Sequence, residues 1–212
     1  MSSETNEPIG AARNPAPAIA FENVTCSFET PEGVYTATKD VSFSIGDGEF
    51  VSVVGPTGCG KSTLLNAAAG LLKPAAGRVL IYGEALNGIN HRAGYMFQAE
   101  SLMPWATAID NVMMSLKFRG VPENEAREAG FGLERFADRY PHELSGGMRK
   151  RVAMAQTMIA DPDILLMDES FSALDIQTRQ LMENELLELW QAKKKAVLFI
   201  THDLDEAIAM SD

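Results

Sequence analysis

Cysteine is scarce in this 212-residue sequence: Cys26 and Cys59 are the only two, far apart and in no CxxC pair. Neither a disulfide framework nor a cysteine-built zinc cluster is therefore expected, and a reducing compartment suits both thiols. Long apolar runs are missing as well. No stretch approaches the roughly 18 residues that a membrane-crossing helix needs, and the start has neither the basic region nor the apolar core of a secretory signal. A function at a membrane would then rest on a partner that spans it. Positive charge is in deficit, with 18 Lys and Arg against 29 Asp and Glu and a net charge of -11. That balance repels polyanions unless the basic residues gather on one face, so nucleic acid is not an expected partner. What is present is a 46% hydrophobic content, enough for a substantial core in a soluble globular domain.

Residues 1–18 are rich in Pro, Ala, Ser and Glu without apolar period and read as a flexible tail. Short β-type runs follow at 19–24 and 41–45, separated by the turn-rich Thr30-Pro31-Glu32-Gly33, an antiparallel opening. The apolar strand 50–54 then feeds a Gly-rich loop and a helical stretch, 62–72. Strands at 164–167 and 196–200 alternate with helices at 148–160 and 174–190, the pattern of a parallel sheet covered by helices. Residues 101–141 read as a polar helical segment with breaks at Gly120-Val121-Pro122 and Gly130-Phe131-Gly132. No internal repeat is present.

Gly55-Pro56-Thr57-Gly58-Cys59-Gly60-Lys61-Ser62 matches the G-x-x-x-x-G-K-[ST] phosphate loop in its strand-to-helix setting, with Thr63 next in the helix. Its glycines let N–H groups turn toward a β-phosphate, Lys61 reaches the β/γ-phosphates, and the Ser62 hydroxyl suits Mg²⁺. The strand 164–167 ends in Asp168-Glu169. Such a pair can be a solvated strand end; downstream of a phosphate loop it delivers one acid, Asp168, to the metal and a second, Glu169, to the attacking water. Leu144-Ser145-Gly146-Gly147-Met148 opens a helix. Alone it is an ordinary Ser N-cap, and its exposed N–H groups with the Ser145 hydroxyl also make an anion site.

With these motifs in this order, the chain from residue 19 onward resembles the ABC ATPases, and 144–148 resembles their LSGGQ signature. The resemblance implies a P-loop α/β fold with a mostly parallel core sheet, an N-terminal antiparallel β subdomain and a helical subdomain at about 99–160, all in one domain over 19–212. It implies Gln98 as the loop glutamine that touches Mg²⁺ and senses the membrane partner, Asp175 in the D-loop segment Ser172-Ala173-Leu174-Asp175, and His202 as the switch histidine on the γ-phosphate. Phe28 falls where the family stacks an aromatic on adenine, with Tyr35 a competing candidate. ATP and Mg²⁺ are the implied ligands. The implied partners are a second ATP-binding subunit, whose signature residues Ser145, Gly146 and Gly147 complete the site, transmembrane permease subunits and, indirectly, a substrate-binding protein. The implied location is peripheral, on the cytoplasmic face of the cell membrane.

The segments Ser101-Leu102-Met103-Pro104-Trp105 and Thr201-His202-Asp203-Leu204-Asp205-Glu206-Ala207 look most like the nitrate, sulfonate and taurine importer branch. Trp105 reads either as part of a dock for the membrane subunit or as a buried anchor of the helical subdomain. Ser170 departs from the family's proline, Met148 from its glutamine, 123–136 is shorter than usual, and the family's C-terminal portion is expected to be missing after Asp212. A truncated nucleotide-binding or regulatory protein with little turnover is the alternative reading. Arg149-Lys150-Arg151 reads as an exposed helix face, and Lys193-Lys194-Lys195 as a solvated turn or a lipid contact.

Overall fold

Two sheets organise the described residues, and each follows from its side-chain pattern. A computed structural model describes residues 16–118, 133 and 135–211. The expectations for residues 1–15 of the tail and for most of 123–136 fall outside them. Strands β3 (Phe50–Val54), β6 (Ala93–Met96), β7 (Ile164–Asp168) and β8 (Ala196–Thr201) form an all-parallel sheet in the order β3-β8-β7-β6. Successive residues of a strand point to opposite faces. Accordingly Ile164, Leu166, Ala196, Leu198 and Ile200 enter one core cluster, and Leu165, Met167, Val197 and Phe199 enter the other. A central parallel strand covered on both faces must be apolar throughout.

The first cluster is closed by helix α1 (Lys61–Ala68) and by an antiparallel sheet in the order β2-β1-β4-β5, built from β1 (Ile19–Thr30), β2 (Gly33–Ile45), β4 (Ala76–Ile81) and β5 (Glu84–Ala85). Strands β1 and β2 run well beyond 19–24 and 41–45. Their outer halves are rich in Ser and Thr, whose hydroxyls support the hairpin: Ser27 and Thr36 are 3.0 Å apart, and Thr25 Oγ1 accepts from the Asp40 N–H at the bulge. No apolar alternation marks this half. The tail reading also ends early, since Ala18 is fully buried and its carbonyl accepts from the Tyr82 N–H.

Helix α1 stops at Ala68 rather than residue 72, because the chain turns back and the N–H groups of Leu71 and Leu72 both donate to the Asn66 carbonyl. Within 99–160 lie α2 (Ala108–Phe118), a 3-10 turn (Pro141–Glu143) and α3 (Gly146–Met158). Residues 101–107 are not helical. The wholly buried Asn111 side chain holds them, accepting from the Met103 N–H at 2.7 Å and donating to the carbonyls of Met103, Ala106 and Thr107. Helix α3 carries two apolar faces: Met154 and Met158 meet the parallel sheet, whereas Val152 and Ala155 meet α2. Helices α4 (Ile176–Lys193) and α5 (Leu204–Met210) complete the chain. Among the described residues no helix is long and apolar enough to cross a membrane.

Candidate active site

The four parallel strands release their C-terminal ends on one edge, the usual position for a ligand crevice in an open α/β sheet. After β3 comes the phosphate loop. Its last glycine, Gly60, has φ 95, and a Cβ there would lie 2.4 Å from the Ala37 carbonyl oxygen, so only glycine lets the loop pass under β2 and enter α1. Lys61 is buried, and its ammonium donates to the carbonyls of Gly55 (2.7 Å) and Pro56 (3.0 Å) while standing 3.9 Å from Glu169 Oε1. One residue on, the Ser62 hydroxyl donates to Asp168 Oδ1 at 2.9 Å.

Strand β7 delivers Asp168, and Glu169 follows at φ 43, a left-handed conformation uncommon for a side-chain-bearing residue. The Glu169 N–H donating to the Ile200 carbonyl at 2.9 Å holds it there. Burial pushes the Asp168 carboxyl above the usual aspartate range; the Ser62 hydrogen bond opposes this and the Glu169 charge adds to it. Strand β8 delivers His202, whose Nδ1 lies 3.2 Å from Glu169 Oε2. Strand β6 delivers Gln98. A cleft of about 290 Å³ is lined by Phe28, Tyr35, Gly60, Ser62, Gln98 and Glu169, among others. Phe28 and Tyr35 face each other across β1 and β2, so both aromatics reach the cleft.

The model of the ABC transporter family matches residues 38–172. The chain belongs to the ABC transporter family. An uncharacterized ABC transporter ATP-binding protein of Methanocaldococcus jannaschii is 46% identical over 200 residues, covering 92% of this chain and 75% of that protein. The taurine import ATP-binding protein TauB of Rhizobium johnstonii is 47% identical over 178 residues, covering 81% of this chain and 68% of its own. Among solved structures, a bacterial ABC transporter cassette determined as a dimer superposes with a TM-score of 0.82 at 34% identity, covering 91% of each chain. The same cassette in a post-hydrolysis state with ADP and Pi superposes equally well.

In this ABC ATPase none of Ser145, Gly146, Gly147 or Asp175 is among the residues that line the cleft. Ser145 caps α3, accepting from the Met148 N–H at 3.3 Å, and Asp175 caps α4 by accepting from the Thr178 N–H at 3.1 Å. A Cβ on Gly147 would meet Thr178 Cγ2 at 2.5 Å, so glycine is what lets α3 and α4 touch. Ser170 is buried and donates its hydroxyl to the Met96 carbonyl, tying the end of β7 to β6.

Two expectations need correction. Lys150 does not belong to an exposed face: it is 3% exposed, and its ammonium donates to the carbonyls of Phe97 and Gln98 at 3.0 Å each. Burial pushes it down to about 8, with Glu100 opposing. The signal was in the sequence, since Lys150, Met154 and Met158 fall at i, i+4 and i+8 on the sheet-facing stripe. Trp105 is 75% exposed, which removes the buried-anchor reading. The run 193–195 is the solvated turn expected before a strand: Lys193 and Lys194 are exposed where α4 ends and the chain enters β8, with Lys193 and Lys195 paired to the exposed Asp161 and Lys194 over the Trp190 ring at 3.8 Å.

Proposed function

We propose that this ATPase powers an importer, working as a head-to-tail pair of copies or paralogues docked on permease subunits at the cytoplasmic face of the membrane. The observation that carries the reading is the pairing of Ser62 with Asp168 and of Glu169 with His202 beside Lys61, while Ser145 and Gly147 are not among the residues that line the cleft. A γ-phosphate needs donors on both sides, and the second set comes from the partner's signature.

The residues fit Mg²⁺. Ser62 Oγ and Asp168 Oδ1 are hard oxygen donors already side by side, and the Gln98 amide opens on the same cleft. When bound there the ion neutralises charge between the β- and γ-phosphates. Lys61, swung from the loop carbonyls, holds the phosphates. Glu169 takes the proton of the attacking water, and His202, anchored on Glu169, donates to the γ-phosphate. Phe28 and Tyr35 supply the adenine platform.

The exposed Trp105 supports a dock for a membrane subunit, and the taurine-import relatives support a small sulfonate-like or nitrate-like anion as cargo. The test is Mg²⁺-dependent ATP hydrolysis against protein concentration, with Glu169→Gln as control. A rate rising faster than linearly, and reduced about 100-fold or more by the substitution, supports the motor. ATP binding without turnover at any concentration contradicts it.

A further inference from the structure

We infer that Lys150 is a positioning residue that clamps the Gln98 segment to the helix carrying the signature. Burying an ammonium is costly, and the neighbours on its stripe, Met154 and Met158, show that an apolar side chain would suit the position. Its hydrogen bonds go to two successive main-chain carbonyls, those of Phe97 and Gln98. The carboxylate of Glu100 is engaged by Arg149 at 3.6 Å instead. On the other side the Phe97 ring stacks on Tyr95, with centroids 4.3 Å apart.

The stretch after β6 is therefore fixed from two directions, and the donor stands five residues, or about one and a half turns, beyond Ser145, the cap of the same helix. Gln98 faces this chain's own cleft. Under the proposed function, on which this inference rests, Ser145 and Gly147 face the nucleotide of the second copy. Lys150 makes the two a single rigid piece, so displacement of α3 moves the Gln98 backbone with it.

The test uses the full chain and three variants: Lys150→Met, which removes the donors at similar length, Lys150→Arg, which keeps them, and Lys150→Gln, which keeps an amide donor. Chymotrypsin cleavage after Phe97, an exposed residue whose carbonyl the ammonium holds, reads the clamp directly, whether or not ATP is turned over. Lys150→Met is expected to speed cleavage there about tenfold while β7 and β8 stay uncut. In turnover assays it lowers kcat about tenfold or more with KM for ATP within about threefold, and Lys150→Arg recovers much of the loss. Should Lys150→Met fail to fold, the order Lys, Arg, Gln in kcat carries the same test. Unchanged cleavage after Phe97, or equal kcat across the folded variants, overturns the clamp. An unsubstituted chain without turnover overturns the proposed function instead, and the cleavage measurement still decides the contact.

Discussion

Replacing Gly147 by alanine separates two reasons for a glycine at that position. The new Cβ would stand 2.5 Å from Thr178 Cγ2, against the 3.4 Å or more of ordinary contact, so α3 and α4 must part or Thr178 must leave its rotamer. Overpacking of this kind costs about 1–3 kcal/mol, and the gain in helix propensity from Gly to Ala returns about 0.5–1 kcal/mol of it. The two together span about 0–2.5 kcal/mol, and the mid-range values give a net loss of about 1 kcal/mol, about 2–4 °C in Tm for a domain of this size. Thr178→Ser removes only Cγ2 and keeps the hydroxyl near Asp175, so the double variant should regain most of that loss. Thermal melting of the wild type, both single variants and the double gives the coupling. ATPase assays on the same four proteins then isolate the second role: a stable double variant that no longer hydrolyses ATP shows that a nucleotide requires the bare Cα. A single Gly147→Ala variant melting like the wild type, or a double no better than the single, would refute the packing argument.

Glu183 gives a pH dependence of stability. Burial, then the neighbouring Glu206, push its carboxyl up to about 7, with Arg179 opposing and Asp203 adding to it. The folded state thus keeps a proton that the unfolded chain loses in the ordinary glutamate range, so this stability is fully present at low pH and is lost as pH rises through about 7. Discounted for solvent screening at a partly exposed site, the loss is about 1–2 kcal/mol. Urea unfolding of the wild type should weaken between pH 5 and 8 relative to Glu183→Gln, and parallel profiles would contradict this. Cys59 is exposed within the phosphate loop, so complete alkylation should abolish ATP binding; binding that survives it refutes the prediction. Phe28→Ala and Tyr35→Ala should each raise KM for ATP about threefold to tenfold with kcat unchanged, as expected for loss of a stacking face. If neither moves KM, the adenine does not lie on this pair.

The phosphate loop and the strands at 164–167 and 196–200 were legible because each is a strong local pattern, whereas the Asp168-Glu169 end, locally an ordinary strand end as well, became legible only through the phosphate loop upstream. Elements whose support comes from elsewhere were not. β4 and β6 are short and weakly apolar, and exist because β1 and β7 offer them a ladder. The bend at 101–107 is held by Asn111, a residue that local composition presents as an ordinary polar position in a helix. Lys150 was read as exposed because a run of three cations suggests a wet face, although the helical stripe it shares with Met154 and Met158 placed it inside. Legibility of the site was likewise partial: the sequence indicated which residues meet at the cleft, and the Lys150 clamp needed the fold.

The strand order has a consequence for how this protein is made. β8 is synthesised after β3, β6 and β7, yet lies between β3 and β7 and pairs with both. Until residues 196–201 leave the ribosome, β3 and β7 have no ladder to one another, and each nascent chain holds an apolar strand with an open edge. Pairing across so long a separation is slow, and unpaired edges are where neighbouring chains associate. Cells producing it quickly should accumulate aggregates of the nascent form before the finished protein, and the phosphate loop and Asp168-Glu169 should take their places together, when β8 inserts.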